Sequence, residues 1–516
     1  MKLERTKNGI RNMIWGGINR IVTILVPFIL RTIFIYSLGV EYLGLNSLFT
    51  SLLTVLNLAE LGFSNAIVYN MYKPIAENDK ETICALMSYY KKIYYYIGCI
   101  ITVVGLILIP FLGNLISGEY PPDINLVGLY LLFLCNTSVS YFLFAYKNCI
   151  LTAHQREDII SKVNIVLKIA MYIAQAIMLV CYKSYYGYIV CTIVNTIITN
   201  IVTAYYSNKY YPELKCKGSI SPERRRVIKR DIQGLTVGKI CLVSRNAFDN
   251  IFLSMFLGLT IVTIYGNYYY IMNAINGMLA ILMTSIGAGI GNSVTTESVE
   301  KNYKDYMKFI FMYAWIAGWC VVCLFCLFQP FMTLWMGEDL LFPLIDVILI
   351  CFYFYSLTMG DVRSQYSTAT GLFWENRIYV LVEAMVNIIL NYFLVKLIGV
   401  HGIIIATWIS IFFINFGWGS TIIFKHYFKK YNVIDYYKSH MLYFFNAIIA
   451  TGITYFFTSL IRGKTWFDLV IRFVICLVLP NIYFFFVYRR KSVFLESKEF
   501  ISRNLMSLFN KHSKYI

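Results

Sequence analysis

Long apolar runs, separated by short polar stretches, recur along the whole chain of 516 residues. Each run is about 20 residues long, which is the length that an α-helix needs to cross the hydrocarbon core of a bilayer. The pattern predicts an all-α polytopic membrane protein with about fourteen transmembrane helices. The predicted spans are 13–38, 45–70, 93–116, 125–148, 163–182, 187–206, 237–258, 262–290, 308–330, 343–362, 378–397, 402–424, 441–460 and 468–488.

The first twelve spans form two blocks of six that resemble each other. Leu38-Gly39 recurs as Leu257-Gly258, and Pro110-Phe111 recurs as Pro330-Phe331. Because six is even, both copies cross the membrane in the same direction, as parallel transporter repeats do. The predicted parts are an N-terminal six-helix lobe (1–207), a basic cytoplasmic linker (208–236), a C-terminal six-helix lobe (237–424), a cytoplasmic loop (425–440), an additional helix pair (441–488) and a basic cytoplasmic tail (489–516).

Composition and charge support a membrane protein and set its orientation. The chain is 59% hydrophobic and has a formal net charge of +18. If the N-terminus is inside, about 36 of the basic residues fall in cytoplasmic segments and about 4 in external ones. Both termini are therefore predicted to be cytoplasmic. The basic segment 208–239 has no aromatic or fold motif of a nucleic-acid module, so it indicates lipid headgroups and no nucleic-acid partner.

The residues that enzymes use for catalysis do not cluster in this sequence. Thirteen cysteines are scattered through apolar runs, and five histidines lack the spacing of metal ligands. No nucleophile and base pair or phosphate loop is found, and the predicted external loops are short. We therefore predict no catalytic residue, no metal and no cofactor.

Charged residues inside the first two spans are the strongest indication of a functional site. An ionisable group at membrane depth costs about 2.5–3.5 kcal/mol on insertion scales, so its presence favours a functional role. Arg20 and Arg31 are eleven residues apart, which places them on one helix face about 16 Å apart, with Pro27 between them. Glu60 of the second span reaches the depth of Arg20, so it either pairs with Arg20 as a packing device or takes part in function. Arg31 has no carboxylate at its depth and is the better candidate for an anionic ligand.

Further charges lie in later spans. Arg245 and Asp249 of the seventh span are four residues apart, a spacing that predicts either an intrahelical ion pair or a shared, positively biased cavity. Lys168 and Glu383 occupy equivalent positions of the two blocks, which makes a partnership across the halves conceivable.

Several short stretches resemble a known family. They are Val40-Glu-Tyr-Leu-Gly-Leu-Asn-Ser-Leu-Phe49, Leu58-Ala-Glu-Leu-Gly-Phe63, Tyr72-Lys-Pro-Ile75, and the seventh-span run from Asp249-Asn250 to Tyr265-Gly-Asn-Tyr268. These resemble the Wzx-type flippases of polysaccharide repeat units, in the multidrug/oligosaccharidyl-lipid/polysaccharide (MOP) exporter superfamily. The resemblance implies a V-shaped, two-lobe transporter of the bacterial cell membrane. It would move undecaprenyl-diphosphate-linked oligosaccharide to the outer leaflet by alternating access, for capsule or exopolysaccharide biosynthesis.

The resemblance gives the charged residues expected roles. Arg20, Arg31 and Arg245 would contact the diphosphate, because arginine binds phosphate in a bidentate manner. Glu60, Asp249, Lys168 and Glu383 would pair with these charges or gate the cavity. Expected partners are the lipid-linked oligosaccharide, membrane lipids, a polysaccharide polymerase and glycosyltransferases. Two alternatives stay open: a cation-coupled multidrug exporter of the same superfamily, which would depend on the acidic residues, and a membrane polysaccharide polymerase, which would need a large external loop.

Overall fold

The structure, a computed structural model, describes residues 5–60 and 63–512. Within these ranges the regular elements are helices, and no strand is present. The predicted all-α class is therefore confirmed. Contacts divide the chain into two compact units, Met1–Thr263 and Ile264–Ile516, and the division falls inside a helix.

The helices of the first unit are α1 (Arg5–Leu38), α2 (Val40–Leu56), α3 (Phe63–Glu77), α4 (Lys80–Ile107), α5 (Leu126–Phe142), α6 (Asn148–Ala153), α7 (Glu157–Val180), α8 (Tyr185–Tyr210), α9 (Pro222–Leu257) and the start of α10 (Leu259–Thr296). Three helix pairings organise this unit. α1 packs along α7, α7 packs on α8, and α2 lies against α9. The sequence analysis assigned α9 to the C-terminal lobe, whereas the contacts of α9 lie in the first unit. The predicted lobe boundaries stay a prediction.

After α10, the helices of the second unit are α11 (Val299–Met336), α12 (Leu344–Met359), α13 (Asp361–Ala369), α14 (Phe373–Ile398), α15 (Val400–Ile409), the π-helix Ser410–Trp418, α16 (Gly419–His426), α17 (Val433–Ser459), α18 (Trp466–Tyr488) and α19 (Ser492–His512). The unit is centred on α11, which packs against α12, α17 and α18. The indole of Trp315 in α11 donates to Asn481 Oδ1 at 2.8 Å, and that of Trp319 donates to the carbonyl of Cys476 at 2.9 Å. The second helix of the additional pair, α18, is thus bonded to α11.

Within the described residues, helices occupy most of each predicted span, although fewer than fourteen of them are long and apolar enough to cross a membrane. In the described part of the chain, eleven helices are long and apolar enough to cross a membrane, or twelve if the bent pair Leu126–Phe142 and Ala145–Ala153 counts as one span. The second predicted span is divided between α2 and α3, and α2 is a shorter apolar helix. The seventh coincides with α9, in which the side chains of 229–242 lie outside the described part. The count of fourteen is therefore approximate, and the chain is a multi-pass membrane protein.

Side-chain caps fix several helix starts. Asp79, Asn125 and Ser184 each accept a hydrogen bond from the backbone N–H three residues later, which satisfies an otherwise unpaired helix donor. The predicted basic linker is only partly irregular, because α8 ends at Tyr210 and α9 begins at Pro222. The arginine run that starts at Arg224 therefore belongs to a helix.

Candidate functional site

α1 carries two of the predicted ligand arginines on one side. The helix runs without a break through Pro27, so Arg20 and Arg31 lie within about 20° of each other around the axis and about 16 Å apart along it. The side chain of Arg20 is exposed and that of Arg31 is half-buried. A ligand that contacts both arginines must therefore be elongated or must move along the helix.

The apolar surface of α1 lies on another side of the helix. At 3.6 residues per turn its centre is about 130° from the arginines. On α7, Lys168 is half-buried and lies about 140° from the corresponding exposed apolar stripe of that helix. Arg20, Arg31 and Lys168 are therefore directed away from the surfaces that best fit acyl chains. The exposed stripe of α1 consists of Ile14, Ile18, Ile21, Leu25 and Ile29, and that of α7 consists of Val166, Ile169, Ile173 and Ile177.

Arg245 and Asp249 are buried one turn apart on α9, with 4% and 0% of their surfaces exposed. Asn250, the next residue, donates to the hydroxyl of Ser51 in α2 at 3.0 Å, so this part of α9 is bonded to α2. Close packing continues beyond α9, where a Cβ on Gly44 would lie 2.4 Å from the carbonyl oxygen of Leu259. The buried charges of α9 are thus held in a tightly packed part of the first unit.

Glu60 is bonded to tyrosines and not to Arg20, whose pairing with it was one of the two roles that the sequence left open. The Glu60 carboxylate accepts hydrogen bonds from Tyr94 in α4 and Tyr141 in α5, each at 2.5 Å. Arg20 and Glu60 do not form an ion pair within the described residues. The reason is that α2 ends at Leu56, and Glu60 lies in a 3-10 turn, which rotates it by about 80° over four residues relative to a continuous α-helix.

Tyr94 and Tyr141 could not be singled out from the sequence, because tyrosines are common in the apolar runs of this chain. Tyr94 in turn accepts from the hydroxyl of Tyr90 at 2.9 Å, and Tyr141 is 3.1 Å from Asn57 Oδ1. Two tyrosines therefore bond Glu60 directly, and a third tyrosine and an asparagine extend the network. Because the sequence placed Arg20 at the depth of Glu60, no signal in it pointed to tyrosine donors.

In the second unit, Glu383 belongs to a buried polar network. Its carboxylate, with 1% of the residue exposed, accepts from Asn415 Nδ2 at 2.7 Å. The side-chain oxygen of Asn415 accepts from Arg363 Nη2 at 2.8 Å, and its backbone carbonyl accepts from Nη1 of the same guanidinium. Asn415 lies in the π-helix Ser410–Trp418, a type of element that often marks functional sites. It therefore links a buried acid to a buried base.

Arg363 was missed because the predicted span stopped at residue 362. In the structure α13 continues past Asp361, and Arg363 is 3% exposed. Its guanidinium also lies over the ring of Tyr379, 5.4 Å from the centroid. Lys168 and Glu383 fall in different units, and their partnership stays a prediction. The described residues contain no group of three His, Cys, Asp or Glu side chains that could hold a metal ion.

A family model described as "Polysaccharide biosynthesis protein" matches residues 10–287, more than half of the chain. The chain belongs to the polysaccharide biosynthesis protein family. The matched region contains Arg20, Arg31, Glu60 and Arg245. The predicted resemblance to Wzx-type proteins of the MOP superfamily is confirmed. No curated protein sequence matches the chain.

Solved structures with the same fold include a lipid II flippase and transporters of the MOP superfamily. The Lipid II flippase MurJ, in an inward closed conformation, aligns with a TM-score of 0.64 and 17% identity, over 93% of this chain and 99% of MurJ. An inward-facing multidrug resistance MATE family transporter of the MOP superfamily aligns with a TM-score of 0.57 and 16% identity, over 79% of this chain and 98% of its own. A MOP superfamily transporter from Pyrococcus furiosus aligns with a TM-score of 0.55 and 18% identity, over 81% and 95%. At these identities the likeness establishes the fold.

Proposed function

We propose that this protein is a flippase that moves undecaprenyl-diphosphate-linked oligosaccharide from the inner to the outer leaflet of a bacterial cell membrane. Membership of the polysaccharide biosynthesis family supports the sugar substrate. The fold shared with a lipid II flippase supports a lipid-linked substrate moved by alternating access. The product would serve capsule or exopolysaccharide biosynthesis, with a polymerase and glycosyltransferases as partners and both termini in the cytoplasm.

The observation that carries the proposal is the position of the arginines of α1. A diphosphate and its sugars cannot cross hydrocarbon unaided, so a flippase needs a cationic polar surface beside an apolar one. α1 offers Arg20 and Arg31 on one side and an exposed apolar stripe about 130° away. In our proposal the arginines, with Arg245 of α9, bind the diphosphate while the lipid tail stays in the bilayer.

The acidic residues would regulate this binding. Asp249 lies one turn from Arg245 and would hold or release that guanidinium as the transporter changes conformation. Glu383 would act in the second unit through Asn415 and Arg363. Glu60 would act through its tyrosine donors rather than through Arg20.

The fold is shared with multidrug transporters, which makes a cation-coupled exporter the second candidate. Its specific support is that Asp249 and Glu383 are buried carboxylates. Under this alternative, replacing these acids would abolish transport, and replacing Arg20 or Arg31 would have little effect.

Deletion of the gene in its native host tests the proposal. We expect complete lipid-linked repeat units to accumulate on the cytoplasmic face, and wild-type but not Arg31→Gln protein to restore export. Accumulation of single repeat units on the outer face would indicate a polymerase instead. Unchanged export of sugars, together with increased sensitivity to toxic cations, would indicate the multidrug exporter.

A further inference from the structure

A cluster of charges surrounds Asp158 at the start of α7. Asp158 is 0% exposed, and its carboxylate is 2.6 Å from Arg11 Nη2, 2.9 Å from Arg156 Nε and 3.6 Å from Lys162 Nζ. Three cations thus share one carboxylate, which leaves an excess of two positive charges. The neighbouring Glu157 is exposed and does not line the adjoining cavity.

The positions of these cations are fixed by other contacts. The guanidinium of Arg156 lies over the ring of Tyr210 at 4.9 Å, and the ammonium of Lys162 lies over Trp15 at 4.8 Å. Burial alone would lower the pKa of Arg156, but the hydrogen bond and charge of Asp158 raise it above its usual value. Each arginine uses one N–H on Asp158, and a guanidinium has five, so donors remain for a second anion.

A cavity of about 400 Å³ opens beside the cluster, and we name it the Asp158 cavity. Its volume lies within the range of small-molecule sites, about 300–1,000 Å³. Its polar wall consists of Arg11, Arg156, Asp158 and Lys162, and Val166 belongs to the apolar wall. Val166 is 67% exposed and begins the apolar stripe of α7, which continues through Ile169 and Ile173. A cationic cavity is thus continuous with an exposed apolar surface.

We propose that the Asp158 cavity binds the phosphate headgroup of an anionic membrane phospholipid, with an acyl chain lying along the stripe of α7. A phosphodiester would accept hydrogen bonds from Arg11 and Arg156 and neutralise part of the excess charge. Basic pockets between transmembrane helices on the cytoplasmic side are suited to such headgroups. The apolar stripe favours a lipid over free phosphate, because only a lipid has a chain to place there. This proposal does not depend on the transported substrate.

Native mass spectrometry of the full-length protein tests the proposal. The protein is purified in detergent with equal amounts of phosphatidylglycerol and phosphatidylcholine, and the retained lipid is counted. We expect one phosphatidylglycerol to be retained in preference to phosphatidylcholine. Lys162→Gln keeps both arginines on Asp158 and should reduce this retention about fivefold. The matched control Lys73→Gln removes an exposed lysine, 3.8 Å from Glu77 in the same unit, and should have no effect.

Two further measurements complete the test. The first distinguishes a ligand site from an internal charge network, and the second distinguishes a bound lipid from free phosphate. Asp158→Asn increases the excess charge, so it should increase retention of phosphatidylglycerol; if this variant fails to fold, Lys162→Gln decides alone. Millimolar inorganic phosphate should not displace the lipid, and full displacement would assign the cavity to free phosphate. Equal retention of the two lipids, or equal losses in Lys162→Gln and Lys73→Gln, would overturn the proposal.

Discussion

The hydroxyl of Tyr94 lies 2.5 Å from Oε1 of Glu60 and donates a hydrogen bond to it. Tyr141 donates to the other carboxylate oxygen, so both oxygens of Glu60 have tyrosine donors. The bonds tie the 3-10 turn after α2 to α4 and α5. Glu60 is therefore a junction between three segments of the first unit.

We expect Tyr94→Phe to lower the free energy of unfolding by about 1.5–3 kcal/mol, because it removes a hydrogen bond to a charged group. Glu60→Ala should cost more, since it removes the hydrogen bonds of both Tyr94 and Tyr141 and leaves Tyr141 only Asn57 Oδ1 as an acceptor. Thermal unfolding in detergent measures both effects. Tyr95→Phe changes the adjacent, exposed tyrosine and should leave stability unchanged; an equal loss in Tyr95→Phe would contradict this role of Glu60.

The Glu60 network also illustrates the limits of the sequence analysis. Hydropathy identified the apolar run 45–70, but it does not report where α-helical hydrogen bonding stops. The change to a 3-10 turn at Asn57 redirects Glu60, so a depth estimate based on a continuous helix does not identify its tyrosine partners. By contrast, Arg20 and Arg31 lie on one continuous helix, and their shared face follows from the spacing alone.

The sequence did not identify Arg363 as a site residue for a related reason. The predicted span ended at residue 362, whereas Arg363 in α13 is buried and contacts Asn415 and Tyr379. The burial of Arg363 thus depends on residues distant in sequence, which a local hydropathy pattern does not reveal. The overall class and the approximate number of spans were predictable, because length and hydropathy alone determine them.

Gly419→Ala should destabilise the second unit. A Cβ at this position would lie 1.7 Å from Arg363 Nη1, which is held by the carbonyl of Asn415. Breaking a buried charged network costs about 3–5 kcal/mol, and we expect a loss of this order. Gly452→Ala is the control, because a Cβ there has no neighbour within 4 Å. A melting temperature equal to that of the control would show that Arg363 can move at no cost.

Gly44→Ala tests the packing of α2. The new Cβ would lie 2.4 Å from the carbonyl oxygen of Leu259, and a backbone group cannot turn aside as a side chain can. Overpacking of this kind costs about 1–3 kcal/mol. Gly17→Ala, on α1 with nothing within 4 Å of the Cβ, should be neutral or slightly stabilising. Equal unfolding curves for the two variants would refute the prediction.

Membrane potential should drive the proposed export. The diphosphate is negative, and moving a charge through 100 mV changes its free energy by about 2.3 kcal/mol. In proteoliposomes with a potassium diffusion potential, a negative donor side should increase the initial rate of translocation and reversal should decrease it. The control is the same assay after the potential is collapsed with an ionophore. Rates independent of the potential would exclude this driving force.

The central claim is that arginines of α1 and α9 bind the diphosphate, and translocation of lipid-linked oligosaccharide in proteoliposomes tests it most directly. The variants are Arg31→Gln and Arg245→Gln, with Lys73→Gln as the control for loss of a positive charge. Loss of a charge-assisted hydrogen bond predicts at least about a tenfold fall in rate for each arginine variant. Arg31→Lys should recover part of it, and the control should retain the full rate. Full activity of Arg31→Gln and Arg245→Gln in folded protein would contradict the claim.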